Sequence, residues 1–123
     1  LNPPDFLEEK IRIVCKRFNV EILKGNRMSH LLSINSDKGK AINELKKYSN
    51  NPNIKIIGLG DSPNDFPLLI NSDFKIVIPG INGPNLALLN QLKNYKFTLA
   101  ERPNGYGWNQ EITKLINKLN LRR

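Results

Sequence analysis

A lysine and two aspartates are the residues of this chain whose types and spacing best suit chemistry. Lys38 stands in Asp37-Lys38-Gly39-Lys40, and Asp61 and Asp65 stand in Gly58-Leu59-Gly60-Asp61-Ser62-Pro63-Asn64-Asp65. A fixed positive charge suits a phosphate, and paired hard oxygens suit a divalent cation. Asp61 would emerge from a strand, and a tight turn would return Asp65 and Asn64, opening the next helix, toward it. Gly60 permits close backbone approach, and Pro63 fits early-turn geometry. A plainer reading stays open at this point. The same turn is a helix N-cap whose acids favour the dipole, and Lys38 is a solvated helix lysine.

The elements from Ser36 onward decide whether these residues can meet. Ser36 or Asp37 can cap a helix carrying Ala41, Ile42, Leu45 and Tyr48 on one face. Ile54–Leu59 is a nearly continuous apolar run, as a buried parallel strand shows. A short helix over Asn64–Ile70 follows, then a second buried strand, Phe74–Ile78, broken by Pro79-Gly80. A helix from about Pro84 to Leu92 and a weaker strand at Lys96–Leu99 come next. The loop Glu101–Gly107 leads to a last helix with Ile112, Leu115, Ile116 and Leu119 at helical spacing. Strands alternating with helices predict a parallel α/β sheet. Its helices begin where its strands end, so Lys38, Asp61, Pro79-Gly80 and Glu101-Arg102 are predicted at one edge, where such sheets bind ligands.

The front third has a different grammar. After Pro3-Pro4, the apolar residues Leu7, Ile11, Val14 and Phe18 recur at helical spacing. Glu8 and Glu9 come early and Lys16-Arg17 late, as the helix dipole favours. Two strand-like runs, Val20–Leu23 and Met28–Ile34, flank Lys24-Gly25-Asn26-Arg27. Gly-Asn there signals a hairpin, because both residues tolerate positive φ.

Composition excludes several classes. The 123 residues carry nineteen Lys+Arg against eleven Asp+Glu, a net charge of +8. No apolar run is long enough to span a membrane, and no secretory signal is visible at the start. One cysteine, Cys15, and one histidine, His30, cannot build a disulfide framework or a Cys/His zinc cluster. A soluble, cytoplasmic chain is expected, with Cys15 a small buried hydrophobe. Basicity invites a nucleic-acid-binding module, but the lysines are spread out and no such motif occurs. Eighteen asparagines with many Lys and Ile point instead to AT-rich coding bias.

The motif GLGDSPND, followed by an apolar helix and a strand, resembles the fourth motif of the haloacid dehalogenase superfamily of phosphatases. Lys38 in SDKGKAINEL resembles its third-motif lysine. GNRMSHLL, DKGKAINEL, GLGDSPNDFPLL and the late NGYGWNQEI look closest to the mannosyl-3-phosphoglycerate phosphatases. The resemblance implies a Mg²⁺-dependent phosphomonoester hydrolase working through an aspartyl-phosphate on a phosphorylated sugar or glycerate. It implies that Asp61 and Asp65 hold the metal and that Asp65 orients Lys38. Lys38 would bind the substrate phosphate, with Asn64 adding hydrogen bonds. It makes residues 1–35 part of a cap, a helix plus hairpin offering Arg27 and His30 to substrate. Residues 36–123 become the C-terminal half of a doubly wound, Rossmann-like core. His30 otherwise reads as a strand histidine, Trp108 as a packing anchor and Arg122-Arg123 as a solvated tail, while Arg102 is a further candidate for an anionic substrate.

One departure matters. The superfamily's nucleophile is the first Asp of a DxDx[TV] motif, and this chain has no Asp-x-Asp. Without the attacking carboxylate no aspartyl-phosphate forms. The chain, which begins at Leu1, is therefore expected to be part of something longer, or a non-catalytic remnant, and inactive alone. An unpaired strand edge would favour self-association or docking of a missing N-terminal half.

Overall fold

A computed structural model describes residues 3–120, so Arg122-Arg123 lies outside the described residues. The elements run α1 (Asp5–Arg17), β1 (Val20–Lys24), β2 (Ser29–Ser33), α2 (Lys38–Tyr48), β3 (Ile57–Gly60), a 3₁₀ turn (Pro63–Asp65), α3 (Phe66–Ile70), β4 (Phe74–Val77), α4 (Leu86–Gln91), β5 (Thr98–Leu99) and α5 (Asn104–Asn120). β1 and β2 form an antiparallel hairpin; β3, β4 and β5 form a parallel sheet in that order. The expected alternation of helix and strand from Ser36 is present.

Alternation along β4 divides the core into two layers. Val77 faces Leu69, Leu88 and Leu92, all fully buried beneath α3 and α4. Its neighbours Ile76 and Ile78 face Ala100, with Ile57, Leu59 and Ile112 packed around them under α5. β3 and β5 are the sheet's edges. Among the described residues no strand covers the outer side of β3.

Helix α2 starts where its cap dictates. Asp37, in extended backbone, accepts the Lys40 N–H at 2.8 Å. Asp37→Ala is expected to lower stability by about 1 kcal/mol, measurable as a shifted urea midpoint at unchanged slope.

Several local expectations need correction. The hairpin forms, but neither Gly25 nor Asn26 has positive φ. The turn closes through Gly25 N–H to Met28 O at 2.9 Å, and a Cβ at Gly25 would stand 2.9 Å from that oxygen. β3 begins at Ile57 rather than Ile54, because the Asp73 carboxylate takes the Ile56 N–H at 3.0 Å. On α1 the buried residues are Glu8 and Cys15, while Leu7, Val14 and Phe18 are exposed. Lys24 and Arg12 neutralise Glu8 and draw it inward. On α2 the inward residues are Gly39 and Ile42, and Leu45 and Tyr48 face away. A Cβ at Gly39 would come within 2.6 Å of Pro67 O, so glycine sets how closely α2 meets α3.

The largest difference is α5, which begins at Asn104 inside the expected loop. Asn104 takes positive φ and donates its N–H to Pro79 O at 3.0 Å. Gly107 lies in the helix's first turn, and a Cβ there would stand 2.0 Å from Arg102 O. The glycine serves close packing.

Candidate active site

The turn after β3 is organised around Asp65. Its Oδ2 accepts the Asp61 N–H at 3.0 Å, the Ser62 N–H at 3.2 Å and the Ser62 hydroxyl at 3.3 Å. Its Oδ1 pairs with Lys38 Nζ, which reaches across from the first turn of α2. Gly60 makes room, since a Cβ there would stand 2.5 Å from Asp65 Cβ. Asp65 is buried, Lys38 half exposed and Asp61 exposed. The buried carboxylate therefore braces the turn and the lysine, while Asp61 faces outward.

The two acids are pushed in opposite directions. Although Asp61 is largely exposed, partial desolvation of its carboxyl raises it, repulsion from Asp65 raises it further, and a hydrogen bond from Asn26 only partly opposes this. Burial also presses Asp65 upward, but Lys38 and the amides of Asp61 and Ser62 outweigh it and hold it below the usual range. A raised carboxylate costs folding free energy while it is ionised, so the cost is present at neutral pH and fades as pH falls through the raised pKa. Asp61→Asn should therefore stabilise the chain at pH 7 by on the order of 0.5 kcal/mol, solvent screening keeping it small. The gain should shrink toward pH 4 in urea titrations at stepped pH. Asp65 runs the other way: its contribution is complete above the ordinary value of 3.8 and is lost as pH falls below it.

A cleft of about 770 Å³ opens above Asp61, between the hairpin tip and the loop Gly80–Asn85. Arg27, His30, Asp61 and Asn64 all line it. A recess of about 360 Å³ continues from His30 and Asn64 to Lys38. Six of the seven sequence candidates thus converge, Asp65 from behind the wall. Asn64 Oδ1 shares the single Ser62 hydroxyl proton with Asp65. Trp108 is half exposed beside Asp61 and Asp65 in a third hollow of about 320 Å³. Arg102 and Glu101 line none of these hollows, and Glu101 instead meets Gln110 and Lys114.

Residues 5–78 match the haloacid dehalogenase-like hydrolase family. The chain belongs to that family. As a haloacid dehalogenase-like hydrolase, it is 34% identical over 115 residues to the glucosyl-3-phosphoglycerate/mannosyl-3-phosphoglycerate phosphatase of Persephonella marina, covering 86% of this chain and 39% of that one. The protein of the same name from Methanococcoides burtonii is 34% identical over 102 residues, 79% of this chain and 35% of that one. The chain thus spans well under half the length of these relatives. The haloacid dehalogenase-like hydrolase yhjK of Bacillus subtilis superposes with a TM-score of 0.55 at 20% identity, over 93% of this chain and 42% of that one. That likeness concerns the fold alone.

Sequence reasoning missed two contributors. Asn26, read only as a turn residue, donates to Asp61 Oδ2 at 2.8 Å, and Asn85 donates to Asn26 Oδ1 at 2.7 Å. The Gly-Asn turn was the available signal for Asn26. Nothing local places it 35 residues away, against the acid.

Proposed function

We propose that this chain supplies the phosphate-handling part of a Mg²⁺-dependent phosphomonoester hydrolase acting on a phosphorylated sugar-glycerate, and that it does not turn over alone. The observation that carries this is the Lys38–Asp65 ion pair set behind the outward carboxylate of Asp61 at a large cleft. Lys38 holds the substrate phosphate and neutralises charge developing on it. Asn64 adds hydrogen bonds, while Arg27 and His30 meet the remainder of the substrate from the hairpin. The sugar-glycerate class rests on what the two relatives are named for.

The donor set bears on the metal. Among the described residues no three His, Cys, Asp or Glu side chains gather as a cage. Both Asp65 oxygens are already taken up by protein donors. Mg²⁺, however, takes one or two carboxylates and keeps several waters. Asp61, backed by Asp65, fits one side of such a sphere. When bound, the ion supplies positive charge for phosphate oxygens.

The attacking carboxylate would come from an N-terminal half, for which the uncovered side of β3 beside Asp61 offers hydrogen-bonding edge. The test mixes the chain with the N-terminal part of the Persephonella relative and follows p-nitrophenyl phosphate hydrolysis with Mg²⁺. No turnover is expected from the chain alone. Turnover is expected in the mixture, reduced by about 10²–10³-fold with Lys38→Ala. Equal rates with both versions, or Mg²⁺-dependent turnover by the chain alone, would overturn the proposal.

A further inference from the structure

Asn26 sits exposed at the hairpin tip, where water could satisfy its side chain. Instead its carboxamide is engaged at both ends. Nδ2 donates to Asp61 Oδ2 at 2.8 Å and to the Asp61 carbonyl at 3.3 Å. Oδ1 accepts from Asn85 Nδ2 at 2.7 Å. Asn85 has no freedom to turn, because its own Oδ1 accepts the Leu88 N–H at 3.1 Å and caps α4. With that oxygen committed, its amide nitrogen must face Asn26, which presents oxygen to Asn85 and nitrogen to Asp61. The hairpin does not need this bridge to turn, since its own closing bond runs from Gly25 N–H to Met28 O.

We infer that Asn26 is a positioning residue that clamps the hairpin onto Asp61, coupling closure of the hairpin over the cleft to cation binding at Asp61. This rests on the reading of Asp61 as a cation ligand. A donor on one carboxylate oxygen fixes the rotation of the group, so the other oxygen is presented in one direction. Groups that hold a metal-binding side chain from behind commonly govern affinity by orienting it. Coupling of this kind is reciprocal, so a bound cation must tighten the hairpin by the factor by which the hairpin tightens the cation.

The experiment uses the ¹⁵N-labelled 123-residue chain titrated with Mn²⁺. It reads relaxation broadening around Gly60–Ser62 and hydrogen exchange at the Gly25 amide. In the unmodified chain, Mn²⁺ should slow Gly25 exchange. Asn26→Ala, a change at an exposed side chain, should weaken Mn²⁺ binding by about 10-fold. It should also speed Gly25 exchange and abolish the Mn²⁺ effect on it. Asn85→Ser retains an N-cap acceptor but removes the amide donor, and should shift both readings in the same direction by less. Unchanged affinity and exchange in Asn26→Ala would overturn the clamp. Absence of broadening near Asp61 in the unmodified chain, with Asn26→Ala still loosening the hairpin, would overturn the cation reading and the coupling while supporting the clamp.

Discussion

Asp65→Ala is expected to cost about 3 kcal/mol of folding stability, the low end of the range for removing one member of a buried ion pair. The carboxylate is buried and gathers two backbone amides, a hydroxyl and an ammonium. Its removal strands the Ser62 amide in a buried position, and that desolvation is no longer offset. Lys38 moderates the loss because its half-exposed side chain can turn to water. Asp65→Asn keeps one acceptor oxygen and should cost roughly half as much. Urea unfolding followed by circular dichroism measures both. A loss below about 1 kcal/mol in the alanine variant would remove Asp65 from its place at the centre of the turn.

Gly107→Ala should destabilise by a similar amount, about 3 kcal/mol. The new Cβ would arrive 2.0 Å from a backbone oxygen, Arg102 O, and 3.1 Å from Ala100 Cβ. No rotamer relieves a clash between a Cβ and main chain, so α5 must lift or the Ala100–Arg102 segment must move. Either motion strains the Ile112 contact with Ile76 and Ile78 and displaces Trp108 from the hollow beside Asp61. The effect should be visible as a lowered Tm together with altered Trp108 fluorescence. Gly105→Ala, whose Cβ would meet nothing within 4 Å, provides the control, with a change within about 0.5 kcal/mol.

What was legible in the sequence follows from which physical signals are local. The alternation of apolar runs with amphipathic stretches gave the parallel sheet, because buried strands and half-buried helices differ in period over a few residues. Lys38, Asp61 and Asp65 could be placed together because the geometry of parallel sheets brings strand ends and helix starts to one edge. Failures arose where a distant partner set the outcome. Gly107 looks like a loop glycine until Arg102 O is found beside it. Ile54 reads as strand until Asp73, seventeen residues beyond Ile56, captures the Ile56 amide. Leu7, Val14, Leu45 and Tyr48 stand at helical spacing, yet periodicity cannot say that α1 and α2 meet only a narrow surface here. Asn26 and Asn85 were invisible as a pair, since 59 residues separate them and asparagine is abundant throughout.

The glycines of β3 carry one more consequence. Gly58 and Gly60 lie on the same face of the strand, where a Cβ would meet Ser72 Oγ at 2.3 Å and Asp65 Cβ at 2.5 Å. Ile57-Gly58-Leu59-Gly60 is therefore an edge of four residues, half of them glycine. Amyloid spines favour six or seven residues of high β-propensity with few glycines, whose side chains interlock with the next layer. This edge can donate and accept main-chain hydrogen bonds but gives a fibril little to grip. The same packing that admits Asp65 behind the turn makes β3 a poor seed for amyloid.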